Sequence, residues 1–191
     1  MTTTSRSPRA LRDALVDRFA WLGDRTDDTG AADLTGWWRD PALLADIGPA
    51  LADLYADSQP TVVLGPESRG VLVGTLTATA LGVGFVEVRK DRGSGADSDA
   101  WRRRVSPPDY KDRHVEFGFR RDLVKAGDRV LMVDDWVATG ATALTVKGLV
   151  EDSGATWIGV ATLVDAVRES RLRRDLPLRS LLHERDLGWY R

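Results

Sequence analysis

Cysteine is absent from the chain, which excludes disulfide bridges and cysteine-held zinc. A reducing, cytoplasmic home is the simplest reading of that absence. Histidine is nearly absent too: His114 and His183 are the only two and lie far apart. A histidine metal site is therefore not expected, and each reads as a surface or edge residue. No apolar run approaches the ~20 residues that span a bilayer. Met1 to Ser7 lacks the apolar core of a signal peptide, so no membrane association is expected. The net charge of −2 gives no general attraction to nucleic acid. Arg6, Arg9, Arg12 and Arg18 make a modest basic face, too little for a helix-turn-helix reading. Two common phosphate and acyl chemistries lack their signatures: there is no Gly-Lys-Ser/Thr phosphate loop and no serine nucleophile elbow.

What is present is enough for one globular domain, since 191 residues can bury a core without staples. Ser7-Pro8 followed by Leu11, Leu15, Phe19 and Leu22 reads as a capped amphipathic helix. The polar stretch 24–33 reads as a loop. A second helix is expected from Pro41, with Leu44, Ile47, Leu51 and Leu54 on one face and a kink or break at Gly48-Pro49. Thr61 to Leu64 is a short β-branched run ending at Gly65, the pattern of a buried strand. Gly70 to Leu81, rich in small and apolar residues, suits a helix packed closely on a sheet. Val83 to Val88 and Arg129 to Val133 read as the second and third strands of the core. Thr139 to Val150 is a helix stopping near Gly154. Trp157 to Val164 is a fourth strand and Leu178 to Leu182 a candidate fifth. Strands alternating with helices predict a parallel, doubly wound α/β sheet. Apolar runs without strict alternation suit strands covered on both faces.

A long excursion interrupts this order. Asp91 to Arg113 carries Gly, Ser, Pro and charges, including Arg102-Arg103-Arg104. His114 to Arg120 then alternates, with Val115, Phe117 and Phe119 on one face, as in an exposed strand. Loops longer than ~12–15 residues are either solvated insertions or functional, and both readings stand: a solvated insertion or a mobile lid. Arg168 to Arg174 reads as a solvated helix face.

The chemistry concentrates in Val130 to Ala143. A buried strand delivers two adjacent acids, Asp134 and Asp135, to its C-terminal end, and a turn of small and hydroxyl residues then opens a helix. Ligands of open α/β sheets bind beyond the carboxyl ends of the strands. A helix N-terminus there offers unpaired N–H groups and partial positive charge to a phosphate. Thr139 and Thr142 add hydroxyls, and Gly140 lets the backbone approach a ligand. Two carboxylates beside a phosphate cradle would repel a bare phosphate. They suit a ligand that also carries a sugar diol or a metal ion, as ribose 5-phosphate does with its hydroxyls. A second turn, Glu67-Ser68-Arg69-Gly70, follows the first core strand. Arg89 and Lys90 close the second.

This segment resembles the motif that binds 5-phosphoribosyl-1-pyrophosphate (PRPP) in type I phosphoribosyltransferases: an apolar strand, two acids, a short apolar step, then a small-Thr-Gly-x-Thr turn. The Glu-Ser-Arg-Gly turn is similar to that of the adenine-type members, and the resemblance extends over roughly Asp33 to Asp165. It implies that Asp134 and Asp135 hold the ribose hydroxyls and that Ala138, Thr139, Gly140, Ala141 and Thr142 wrap the 5-phosphate. It further implies that Glu67, Ser68, Arg69, Gly70, Arg89 and Lys90 face the pyrophosphate, with Arg69 stabilising its departure. Trp136 and Val137 would lie by the base. The implied fold adds a small N-terminal hood (1–57) over the carboxyl edge of a PRPP-binding core (58–191) with a lid at 91–113. The implied cofactor is Mg²⁺, carried mainly on PRPP with no direct protein ligand, and the implied assembly is a homodimer without nucleic acid.

The chain departs from the adenine-type pattern in four places. Ala31-Ala32 stands where a Phe-Arg pair helps clasp the base. Asp91-Arg92-Gly93-Ser94 replaces the Lys-Leu-Pro that usually follows the Arg-Lys pair, and Tyr110 matches the lid tyrosine only loosely. Trp136 is bulky for its position: it either stacks on a flat heterocycle or serves as a core or interface residue. Ala138 stands where many 6-oxopurine enzymes place an Asp, which favours the adenine-like branch or a xanthine-like one. Trp37 and Trp38 read as packing residues. Three functions are consistent with these features: purine salvage with an adenine-like base, phosphoribosyl transfer to a non-standard acceptor, and a non-catalytic sensor of PRPP or nucleotide.

Overall fold

A computed structural model describes residues 6–23, 30–90, 98–107 and 113–188. The first helix, α1 (Pro8–Asp17), is capped by Ser7, whose hydroxyl accepts from the Ala10 N–H, and it buries Leu11 and Leu15. It stops short of the predicted Leu22. Phe19 leads instead into a two-stranded sheet, β1 (Ala20–Leu22) paired antiparallel with β2 (Ala31–Asp33). Part of the stretch read as a loop is therefore strand. Phe19, Trp21 and Trp37 pack together there, and aromatic clustering outweighs the helical spacing.

Two helices follow, α2 (Thr35–Arg39) and α3 (Pro41–Asp53). Asp40 caps α3 by accepting from Ala42 and Leu43. The predicted break at Gly48-Pro49 does not occur, and the helix runs through both residues. Gly48 has a packing role: a Cβ there would lie 2.5 Å from the Leu76 carbonyl oxygen on a neighbouring helix.

The core then runs β3 (Val62–Pro66), α4 (Arg69–Leu81), β4 (Gly84–Lys90), β5 (Trp101–Val105), β6 (Glu116–Arg120), β7 (Arg129–Val137), α5 (Ala141–Glu151), β8 (Thr156–Asp165), α6 (Ser170–Asp175) and β9 (Leu178–His183). The seven-stranded sheet has the order β5-β6-β4-β3-β7-β8-β9. Strands β4, β3, β7, β8 and β9 are parallel, whereas β6 and β5 join antiparallel at one edge. The expected parallel, doubly wound sheet is present with that antiparallel extension.

Strand β7 shows how the sheet is covered on both faces. Leu131 and Val133 pack with Leu15, Ile47, Leu51 and Val73, under α1, α3 and α4. Val130 and Met132 point the other way and pack with Val146 and Leu149 of α5. Alternate side chains thus enter two separate apolar layers.

The excursion after β4 is not one loop. A short 3-10 turn, Ser98–Ala100, leads into the edge strand β5, which is paired residue for residue with β6 from Trp101↔Arg120 to Val105↔Glu116. Strand β6 is not exposed as predicted: Phe117 and Phe119 are buried in the layer beneath α5, because β5 and β4 flank it. The remaining parts of the predicted lid, with Tyr110 and Asp91-Arg92-Gly93-Ser94, lie outside the described residues. Among the described residues no helix is long and apolar enough to cross a membrane.

Candidate active site

The chain leaves β3 toward β4 on one side and later returns to β7 on the other. The carboxyl ends of β3 and β7 therefore flank a topological switch point, where an open α/β sheet forms a crevice. The turn 66–70 lies on one side of that crevice and the turn 137–141 on the other. The sheet order alone brings together two segments far apart in sequence.

Across the crevice, Arg69 Nε lies 2.9 Å from Asp135 Oδ2. The contact has ion-pair distance without hydrogen-bond alignment, so a buried carboxylate oxygen stays without a hydrogen-bond partner. Asp135 is 6 % exposed whereas half of the Arg69 side chain faces solvent. Asp134 is close by: it accepts from the Asp135 N–H at 2.9 Å, and a Cβ on Gly70 would come within 3.0 Å of its Oδ1. Gly70 is thus required for the approach of the first turn to the acid pair. Burial raises the Asp134 carboxyl well above the usual carboxylate range, and the neighbouring Asp135 charge adds to the rise. Lys90 opposes it weakly through its positive charge.

The end of β4 joins the same group. Glu67 accepts from the Lys90 N–H at 3.2 Å and stands 3.7 Å from Arg89 Nε. Arg89 also lies over the Trp101 ring, 5.9 Å from its centroid. The Glu67–Ser68 peptide is cis, and Ser68 and Arg69 are exposed. All six residues expected around a pyrophosphate are therefore gathered on one edge.

The second turn continues directly from the acid-bearing strand. Ala138 and Thr139 are exposed, and Gly140 has φ +72°, a left-handed conformation suited to glycine. Thr139 Oγ1 accepts from the Ala141 N–H at 3.3 Å, and α5 starts at Ala141. The first turn of α5 points its N-terminus at the crevice, as an anion cradle requires. Val137 is 4 % exposed and packs in the layer under α5, so its side chain faces the core.

Trp136 faces the opposite way, toward the N-terminal sheet. Phe19 stacks on it at 6.3 Å, and Trp21 meets it edge-on at 6.0 Å. Phe19 and Trp21 are site-edge residues that the sequence reading did not single out. The helical spacing of Phe19 from Leu11 and Leu15 pointed to a core stripe instead, and nothing in the local pattern marked Trp21. Ala31 and Ala32 lie in β2, and Asp33 next to them is held below the usual carboxylate range by the Thr35 hydroxyl and then its N–H, with Arg69 adding its charge. Asp165 was also missed. It ends β8, is 4 % exposed, and pairs with Arg173 Nε at 2.6 Å. Arg173 thereby departs from the solvated face predicted for Arg168 to Arg174. Among the described residues no three His, Cys, Asp or Glu side chains gather as a metal cage.

The crevice so assembled, an acid pair facing an arginine turn with a helix-backed hydroxyl turn beside it, matches a known class. Residues 39–187 match the phosphoribosyl transferase domain, and the chain belongs to that family. More narrowly, it is 33% identical over 158 residues to the adenine phosphoribosyltransferase of Prochlorococcus marinus, a match covering 78% of this chain and 86% of that one. Two solved structures are similar throughout. The adenine phosphoribosyltransferase of Rhodothermus marinus aligns with a TM-score of 0.77 at 28% identity, over 92% of this chain and 99% of its own. The Saccharomyces cerevisiae enzyme, solved with a dideoxy-imino-altritol bisphosphate and adenine, aligns at 0.75 and 26% identity, over 91% and 99%.

Proposed function

We propose that the protein transfers the 5-phosphoribosyl group from PRPP to a purine base, adenine-like by preference, giving a nucleoside monophosphate and pyrophosphate. The observation that carries this reading is the 2.9 Å approach of Arg69 to Asp135. It joins a pyrophosphate-facing turn to a diol-binding acid pair across one crevice. The ribose hydroxyls donate to Asp134 and Asp135. The 5-phosphate takes the N–H groups and hydroxyls of Ala138 to Thr142. The C1–oxygen bond to pyrophosphate breaks, a bond from C1 to a ring nitrogen of the base forms, and the base releases its N–H proton. No protein nucleophile is needed, so positioning and charge stabilisation do the catalytic work. Arg69, Arg89 and Lys90 share the negative charge that develops on pyrophosphate.

The chemistry of the donor set suits Mg²⁺ brought in on the diphosphate. Asp135 Oδ2 is a buried carboxylate oxygen without a hydrogen bond, and Mg²⁺ prefers substrate phosphates with few protein ligands. When bound, the ion neutralises the leaving diphosphate. A cytoplasmic homodimer, with the N-terminal sheet as a hood over the crevice, belongs to the same reading.

A second reading has its own support. Ala31 and Ala32 supply no aromatic or cationic clasp, while Trp136, Trp21 and Phe19 form an aromatic wall. That combination fits a flat heterocyclic acceptor other than adenine. The test is pyrophosphate release from PRPP and Mg²⁺ across a panel of free bases. Release with adenine supports salvage, and release with another heterocycle alone supports the second reading. Silence with every base, despite PRPP binding, would sink salvage in favour of a sensor or an acceptor outside the panel.

A further inference from the structure

The geometry points to Arg173 as a positioning residue for the 5-phosphate turn, acting from beyond the crevice through α6; the inference rests on the function proposed above. Gly140 has no side chain, and what fills the space behind it comes from α6. A Cβ at Gly140 would lie 2.7 Å from Leu172 Cδ2 and 3.3 Å from Leu176 Cδ1. Leu176 is fully buried and Leu172 packs against the same apolar layer. These two leucines form the back wall of the turn.

A six-residue helix does not hold such a wall by itself. Two polar clamps fix it. Arg173 Nε donates to Asp165 Oδ2 at 2.6 Å, and its guanidinium also donates to the Val167 carbonyl. Asp165 Oδ1 accepts from the Val167 N–H at 2.8 Å, so the carboxylate ties the end of β8 to the chain leading into α6. His183 Nδ1 stands 3.5 Å from the same Asp165 oxygen that Arg173 uses. On the other side, Lys147 of α5 donates to the Asp175 carbonyl at 2.9 Å. Helix α6 is thus pinned to the strand beside the acid-bearing one and to the helix whose N-terminus faces the phosphate. A buried carboxylate with a forked arginine holds direction as well as distance. Arg173 touches no substrate; its effect reaches the turn through Leu172.

The test is the affinity for ribose 5-phosphate, measured by calorimetry alongside steady-state kinetics. In Arg173→Gln, the ribose 5-phosphate Kd and the KM for PRPP are expected to rise roughly tenfold, as a displaced binding group costs. The KM for the base and kcat at saturating PRPP stay unchanged, and Arg173→Lys recovers part of the loss. Leu172→Ala keeps the Asp165 pair intact and is expected to weaken ribose 5-phosphate in the same way, which covers the case in which Arg173→Gln does not fold. Ribose 5-phosphate affinity unchanged in Leu172→Ala, or lowered together with base affinity and kcat in one proportion, overturns the positioning role. Failure of the unmodified protein to bind ribose 5-phosphate overturns the reading of the turn itself, and the two failures are thereby distinguished.

Discussion

Asp134 is an acid in a place that resists ionisation. Its carboxyl is raised by burial and by Asp135, so the folded chain keeps a proton that the unfolded chain has already lost. That difference stabilises the fold below the ordinary aspartate value and is lost as pH rises through the raised one. Asp134→Asn stays neutral at every pH. It is expected to melt at a higher temperature than the unmodified protein at neutral pH, with a flatter stability profile on the acid side, while PRPP affinity falls. An equal or lower melting temperature would show that the ionised form is well accommodated. Arg69 answers a different question. Arg69→Ala leaves Asp135 buried without its cation and removes the exposed guanidinium that the proposed function sets against the leaving group. A kcat lower by roughly 10²-fold is expected, in keeping with removal of one charge-stabilising donor; single-turnover pyrophosphate release measures it. Gly140→Ala meets both a positive φ and the Leu172 methyl, for an expected loss of about 1–3 kcal/mol in denaturant unfolding. The places of the acid pair and of the hydroxyl turn could be read from the sequence, because both follow directly on an apolar strand, whereas Arg69 stood out only through the resemblance of its turn. Asp165 could not. It ends a strand like any other, and its role depends on an arginine from a segment whose charges look solvated.

Helices and strands follow the apolar pattern closely where a single layer covers them, and less well where two segments compete. Helix α3 shows the first kind of surprise. Proline inside a helix argues for a break, yet the chain continues because Gly48 lets α3 settle onto the Leu76 carbonyl of α4. Gly48→Ala would push a methyl against backbone, and an expected cost of about 1–3 kcal/mol follows. Gly148 in α5 looks alike in sequence, but the atoms nearest a Cβ there belong to the end of the long Arg104 side chain, at 2.5 Å. Gly148→Ala there gains about 1 kcal/mol of helix propensity and loses at most an exposed Arg104–Asp152 pair worth about 0.2–1 kcal/mol. The paired glycine variants, compared in urea, should differ in sign or nearly so; equal losses would contradict the difference in their surroundings. Strand β5 was illegible for another reason. Trp101 to Val105 carries three consecutive arginines, and charge hides a strand whose edge position tolerates it. Strand β1 was hidden differently: Phe19, just before it, continues the helical spacing of Leu11 and Leu15, yet Phe19 and Trp21 pack on Trp136 instead.

The molecule as a whole is two apolar layers divided by one sheet, with its chemistry at the switch point. That plan was legible because β3, β4, β7 and β8 are short apolar runs separated by helix-length segments. The antiparallel extension of β6 and β5 was not, since pairing across a long excursion leaves no local periodicity. If the homodimer expected by family resemblance forms, sedimentation at micromolar concentration gives about twice the chain's 21.0 kDa; a monomer would remove the subunit contact from the functional reading.

The contact between Trp21 and Trp136 has an optical consequence. Two indoles 6.0 Å apart and inclined at 79° exchange excitation and produce a paired circular-dichroism band that isolated indoles lack. One chromophore rides on the small N-terminal sheet and the other on the central strand; since Trp37 and Trp38, 6.0 Å apart at 86°, form a second such pair, it is the part of the band removed by Trp136→Phe that reports on whether those two parts are in register. A ligand that slips between them, or a temperature that loosens one from the other, removes that part of the band while the helical signal persists. The protein is thus labelled at the mouth of its own crevice without any added dye.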